Sequence, residues 1–103
     1  MADDICENYR LIAKRWVDAD AAASLLEETK SAFLSQKMLS LGDMPVSRAE
    51  LIIKGSAEWM EYITKMCQAR SDANKLKVHL EWLRLRFQQQ SSHEATARSE
   101  RRL

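Results

Sequence analysis

The residues of this chain that could do chemistry are its histidines, cysteines and acidic side chains, and their spacing does not form a site. His79 and Glu81 stand two positions apart, and no Cys-x-x-Cys pair accompanies them. His93 and Glu94 are adjacent, so on a helix they do not share a face and make a poor pair of metal ligands. The sequence therefore predicts neither a metal site nor a cofactor.

Patterns for phosphate binding and for covalent catalysis are also missing from the sequence. Gly42 and Gly55 are the only glycines, and neither begins a glycine-rich loop that continues into Lys-Ser or Lys-Thr. No serine or cysteine has a candidate general base beside it. We expect a protein that is not an enzyme.

Basic residues are concentrated in the second part of the chain. Residues 1–64 contain seven Lys/Arg and eleven Asp/Glu, a net charge of −4, whereas residues 65–103 contain nine and four, a net charge of +5. Arginines on one helical face can bind phosphates, so nucleic acid or another anionic partner is one interpretation. The candidate residues for it are Arg84, Arg86, Arg98, Arg101 and Arg102. The interpretation that we favour is a solvated polar face whose charges pair with the acidic first helix.

The composition favours helix along nearly the whole chain, which predicts an all-α fold. Alanine, leucine and long charged or amide side chains dominate, and only Pro45 and two glycines interrupt them. Apolar residues recur at steps of three and four on both sides of the proline. We predict a helix over about 3–41, a corner at 42–47, a helix over about 48–90 that could break at Gly55, and a polar basic tail at 91–103, so that residues 1–90 form one domain.

The corner carries the strongest local signals. Gly42 can adopt the left-handed conformation that follows a helix, and Pro45 disfavours helix at the residue before it. Ser47 and Glu50 have the spacing of a capping box, with Val46 and Leu51 as its hydrophobic staple. These signals predict that the second helix begins directly after Ser47.

The apolar positions of the two helices match if the chain folds into an antiparallel helical hairpin. Pairing residues whose numbers total 92 sets Phe33 against Trp59. The same register places Ala19 and Ala23 opposite two further alanines, at 73 and 69. Small residues at that level would let the helices approach closely, although alanine is also simply the best helix former. We predict a hairpin with coiled-coil-like packing.

The second helix has more apolar residues than one seam can bury. Val78, Trp82 and Leu85 lie at i, i+4 and i+7 on the face away from the first helix, and Met60 extends that face. These four residues are the predicted oligomer interface. We expect a homodimer that forms a four-helix bundle, because two-fold interfaces are the commonest symmetric arrangement. The alternative is that the tail folds back over this face.

Signals for export and for membrane insertion are missing from the sequence. The chain begins with acidic residues, and no apolar run approaches the length of a membrane span. We expect a cytoplasmic protein with no membrane partner. Cys6 and Cys67 are then free or buried thiols, because a structural disulfide is rare in that compartment and their predicted positions lie far apart.

The segment KLKVHLEWLRLRFQQQSSHEATARSERRL, at the end of the chain, resembles the ends of small helical proteins encoded by temperate bacteriophages. Its hydrophobic helix runs into a tail rich in Gln, Ser, Glu, Ala and Arg, and the similarity covers about the last thirty residues. The resemblance implies a small accessory protein in a bacterial or phage cytoplasm. It implies no activity and no functional residues.

Two functions follow as hypotheses from the sequence. The first is a small helical interaction and oligomerisation protein with a protein partner that the sequence does not identify. The second is a nucleic-acid-binding accessory protein that uses the basic second helix and the tail.

Overall fold

The protein is all-helical throughout the described part of the chain. The structure is a computed structural model that describes the backbone of residues 2–102 and the side chains of residues 4–101. It consists of three helices: α1 (Ala2–Ser40), α2 (Val46–Lys54) and α3 (Ala57–Arg102). Residues 2–102 contain no strand, and none of their helices has a stretch long and apolar enough to cross a membrane.

The turn after α1 depends on Gly42. Its φ is +84°, in the left-handed region, and the backbone amides of Leu41 and Gly42 donate to Met38 and Leu39 at the end of the helix. A residue with a Cβ would be strained at this φ, so the glycine stops the helix as the sequence predicts.

The predicted capping box at Ser47 and Glu50 is wrong. The N-cap of α2 is Pro45, with φ −58° and ψ 140°, and no side chain caps this helix end. Ser47 therefore lies inside the helix, where its hydroxyl cannot take the N-cap position that a capping box requires. Glu50 instead pairs with Lys54 at 2.6 Å, one turn further along α2.

The predicted staple between Val46 and Leu51 is also wrong. These side chains are 70% and 75% exposed, so they do not bury each other. The buried residues of α2 are Ala49 and Ile53. The side of this short helix that is buried therefore differs from the side that the predicted staple would bury.

The helix that the sequence predicts over 48–90 is divided into α2 and α3. Gly55 and Ser56 separate the two helices, so the break that the sequence allows at Gly55 is present. The Ser56 hydroxyl accepts a hydrogen bond from the Trp59 amide at 3.2 Å and donates to the Ile53 carbonyl at 2.6 Å. Ser56 therefore closes one helix and caps the next.

The chain divides into two compact units. Unit 1 is Met1–Asp18 with Ala73–Leu103, and unit 2 is Ala19–Asp72. The most buried side chains of unit 1 are Ala73, Leu80 and Leu83. Those of unit 2 are Ala23, Ala49, Ile53 and Trp59.

Unit 2 contains an aromatic contact that the predicted hairpin register names, between Phe33 and Trp59. Phe33 of α1 and Trp59 of α3 stack with their centroids 6.2 Å apart, and Tyr62 stacks on Phe33 at 4.5 Å. Ala23 is completely buried in the same unit. The proximity of the alanine pairs themselves stays a prediction.

Candidate interaction surface

The four predicted interface residues are all exposed on α3. Met60 is 62% exposed, Val78 64%, Trp82 51% and Leu85 60%. Leu80 and Leu83, which stand close to these residues in the sequence, are buried. Successive residues of a helix point to different sides, so α3 has one buried and one exposed apolar face. We call the exposed set, together with the exposed Cys67, the outer face of α3.

Trp82 is the largest side chain of the outer face and is partly ordered by its neighbours. The guanidinium of Arg86, one turn later, lies 5.2 Å from the centre of the indole. The ring of His79 lies 6.0 Å away at an interplanar angle of 50°. A cation over an indole is attracted by its ring quadrupole, so Arg86 stabilises this position of the ring, while Trp82 remains 51% exposed.

Next to Trp82 the surface of α3 forms an open cleft of about 630 Å³. All of its lining residues belong to α3, and they are mainly polar: Trp82, Arg86, Gln89, Gln90, His93 and Glu94. The cleft lies where the apolar residues of the outer face end and the polar tail begins.

The arginines of the predicted anionic-partner site lie at different places on α3. Arg84 lines an apolar cleft of about 250 Å³ with Tyr9, Leu83 and Phe87 of unit 1, whereas Arg86 lies over Trp82. Arg98 and Arg101 are exposed, three residues apart on the helix that continues to Arg102. The side chain of Arg102 lies outside the described residues. The structure thus brings Arg98 and Arg101 onto one face but does not join them to Arg84 or Arg86.

The outstanding polar cluster of unit 2 is one that the sequence analysis did not single out. Arg70 of α3 donates to Asp20 at 2.7 Å and to Ser24 at 3.3 Å, both on α1. It also donates twice to Glu27, at 2.7 and 3.0 Å. These hydrogen bonds, to Glu27 first and then to Asp20, raise the pKa of Arg70 above its ordinary value, and they lower the pKa of Glu27.

A signal for this cluster was present in the sequence. Asp20, Ser24 and Glu27 stand at i, i+4 and i+7, so they share one face of α1. The hairpin register places that face near residue 70, and Arg70 stands there. The periodicity of apolar residues carries no information about polar side chains, so it does not predict the cluster.

A second polar contact in unit 2 involves Tyr62. Its hydroxyl donates to the backbone carbonyl of Leu26 at 2.6 Å and lies 2.8 Å from the hydroxyl oxygen of Thr29. The tyrosine ring stacks on Phe33 while its polar end reaches α1, as is usual for a partly buried tyrosine.

The residues considered for chemistry are dispersed. Within the described side chains, no group of three or more His, Cys, Asp or Glu residues is arranged to hold a metal ion. Cys6 and Cys67 are both free and exposed. His79 packs against Trp82, and His93 lines the polar cleft.

The chain matches no protein-family model, no curated protein and no solved structure.

Proposed function

We propose that this chain is a non-enzymatic helical interaction protein that self-associates through the outer face of α3. In this proposal the chain is an antiparallel helical hairpin with coiled-coil-like packing, and two copies form a homodimer of four long helices. The surface that remains, including the basic tail, is then available to a protein partner.

The order of contacts in unit 2 supports the hairpin. Leu26 of α1 meets Tyr62 of α3, and Phe33, further along α1, meets the earlier residue Trp59. Lys37, later still on α1, pairs with Glu58 at 2.5 Å. Positions on one helix rise as those on the other fall, which is the order of an antiparallel pair.

The exposure of the outer face is the observation that carries the self-association. Burying an aliphatic or aromatic side chain of this size stabilises a protein by roughly 1.5–3 kcal/mol when burial is complete. Val78, Trp82 and Leu85 are each more than half exposed, so most of that free energy is left unused in a single copy. In a two-fold dimer these residues would be buried in both copies, because each copy uses the same surface.

Trp82→Glu tests this proposal, and Leu25→Glu is its matched control. Both positions are exposed, at 51% and 62%, but Leu25 lies on α1 and outside the proposed interface. Light scattering on the purified chains should give a monomer for Trp82→Glu and a dimer for the control. A Trp82→Glu chain with the same mass as the wild type would refute the interface.

The tail gives a specific reason to keep a second function. Arg98 and Arg101 are exposed on a continuous helix, and neither forms an ion pair with another described residue. Phosphates would be contacted by such arginines, and the affinity would fall as salt rises. We propose nucleic-acid binding by an accessory protein as the alternative function.

An electrophoretic shift separates the two proposals. The full chain and a chain without residues 91–103 are compared on single- and double-stranded DNA at low and moderate salt. Binding that depends on the tail and weakens with salt would favour the second function over the first. Indifference to DNA under all four conditions would eliminate it.

The resemblance of the last thirty residues to small temperate-bacteriophage proteins agrees with either proposal. A phage or bacterial cytoplasm as the place of action remains part of the proposal.

A further inference from the structure

We infer that two copies of α3 pair antiparallel about a two-fold axis between Asp72 and Ala73, so that unit 1 of each copy meets unit 2 of the other. This inference rests on the proposed self-association and adds its geometry. It specifies a second copy of the chain as the occupant of the outer face, and it names which residues meet.

Four residues of the outer face, Met60, Cys67, Val78 and Leu85, fall on a coiled-coil repeat along α3, and Trp82 flanks this repeat. The positions of the repeat, which alternate steps of four and three residues, are Met60, Thr64, Cys67, Ser71, Asn74, Val78, Glu81 and Leu85. The buried residues Trp59, Ala73 and Leu80 of α3 follow a separate repeat of seven. On a helical projection that repeat lies on the opposite side from Ser71, Val78 and Leu85.

One antiparallel register pairs this face with itself. If residue numbers that meet total 145, Met60 lies opposite Leu85 of the second copy, and Cys67 lies opposite Val78. At the centre, Ser71 meets Asn74, and the two-fold axis repeats every pair. A hydroxyl and an amide can hydrogen-bond there, and polar residues at such positions fix the register of coiled coils.

Shifting the register by one heptad in either direction loses these pairs. A total of 138 leaves Leu85 opposite Ile53, which precedes α3 and is itself buried. A total of 152 sets Met60 against Ser92 and Val78 against Asn74. The total of 138 does set Met60 against Val78, but it leaves Leu85 without an exposed partner. Only the register of 145 gives Met60, Val78 and Leu85 each an exposed apolar or thiol partner.

A parallel pair would match apolar positions equally well, and the charges decide against it. Unit 1 has ten Lys/Arg and seven Asp/Glu, a net charge of +3, whereas unit 2 has six and eight, a net charge of −2. A parallel pair sets each unit beside its own copy, and it sets Glu81 beside Glu81. The antiparallel pair sets each unit beside one of opposite charge, which favours encounter and orientation.

The same register also brings opposite charges together at the border of the contact between the two α3 helices. Glu61, in unit 2, has an intrachain partner in Lys65 at 3.6 Å, the longest of the described ion pairs. The register brings Glu61 beside Trp82 of the second copy, over which Arg86 lies. Arg86 could then reach Glu61 of the other chain along the border of the apolar contacts.

Disulfide trapping with Cys67 as the built-in probe tests the register. All chains carry Cys6→Ser, and the pairing chain adds Val78→Cys. The antiparallel register puts position 78 of one copy opposite Cys67 of the other, so mild oxidation should give covalent dimer on a non-reducing gel. Within one chain these positions are eleven residues apart, about 16 Å along the helix, which is too far for a disulfide.

Two matched controls separate the antiparallel from the parallel arrangement. In the Cys6→Ser chain Cys67 is alone, and in the Cys6→Ser/Cys67→Ser/Val78→Cys chain position 78 is alone. Neither should form covalent dimer in the antiparallel register, because like positions are again about 16 Å apart along the axis. Both should do so if the helices are parallel, and that result would overturn the inference.

The mass of each variant in solution distinguishes a failure of the antiparallel register from a failure of self-association itself. A dimer that gives no covalent product from the Cys6→Ser/Val78→Cys chain contradicts the register but leaves self-association standing. A monomer contradicts both. The Met60→Cys/Leu85→Cys pair, in a chain with both native cysteines replaced by serine, repeats the test without changing Val78, and circular dichroism checks that each chain is folded.

Discussion

Arg70 and Glu27 form a two-point contact that joins α3 to α1 within unit 2. Nη2 and Nε of the arginine donate to the two carboxylate oxygens, at 2.7 and 3.0 Å. The remaining Nη1 donates to Asp20 at 2.7 Å. A planar guanidinium fixes both direction and distance in such a contact, so this cluster specifies how the two helices are aligned in unit 2.

Replacing Arg70 by lysine should lower the thermal midpoint of unfolding by a few degrees. The ammonium group keeps the charge but cannot make the paired hydrogen bonds to Glu27 and a further bond to Asp20. Arg10→Lys is the control, because Arg10 pairs with Glu7 one turn away on the same exposed surface. Circular dichroism measures both, and equal midpoints for the two variants would contradict a special role for Arg70.

The contribution of Glu27 to stability should disappear in acid. Hydrogen bonds from Arg70, helped by its charge, hold the pKa of Glu27 below the unfolded value of about 4.3. A lowered pKa contributes stability above the unfolded pKa, and that contribution is lost as the pH falls through the folded pKa. The midpoint difference between wild type and Glu27→Gln should therefore be largest near neutral pH and shrink below about pH 4. A difference that stays constant down to pH 3 would be inconsistent with this ion pair.

Ser56→Ala should destabilise the protein by about 1 kcal/mol because it removes the cap of α3. The Trp59 amide then loses the hydroxyl that accepts its hydrogen bond at 3.2 Å. Ser47→Ala is the matched control, since Ser47 lies inside α2 and caps nothing. Urea unfolding gives the free energy of unfolding of both variants. A larger loss for Ser47→Ala than for Ser56→Ala would contradict this assignment of the caps and favour the capping box at Ser47.

Ala23→Leu should destabilise the protein by about 1–3 kcal/mol, the usual cost of adding volume to a packed interior. Ala23 is completely buried, so the added atoms have no free space. Ala22→Leu is the control on the same helix, at an exposed position. If urea unfolding gave both variants the stability of the wild type, close packing around Ala23 would be contradicted.

The sequence predicted the helices well because their signals are local. Alanine-rich and leucine-rich segments favour helix by themselves, and Gly42 marks the turn by its own conformational freedom. The pairing of Phe33 with Trp59 could also be predicted, because large apolar side chains at regular spacing fix a register.

The sequence did not predict which serine caps a helix or which arginine joins α3 to α1. Ser47 and Ser56 both precede a glutamate at or near capping spacing, and the structure uses only Ser56. The proline at 45 can itself occupy the N-cap position, so α2 begins before Ser47. The sequence favoured pairing of the basic residues with the acidic first helix but did not identify Arg70, because its partners lie more than forty residues away along the chain.

The mass of the wild-type chain in solution tests the central claim most directly. One copy has a mass of 11.9 kDa, so light scattering should give twice that value over a range of concentrations if the outer face of α3 binds a second copy. A mass of one copy at every concentration would leave Val78, Trp82 and Leu85 without a second chain to cover them, and would contradict the account.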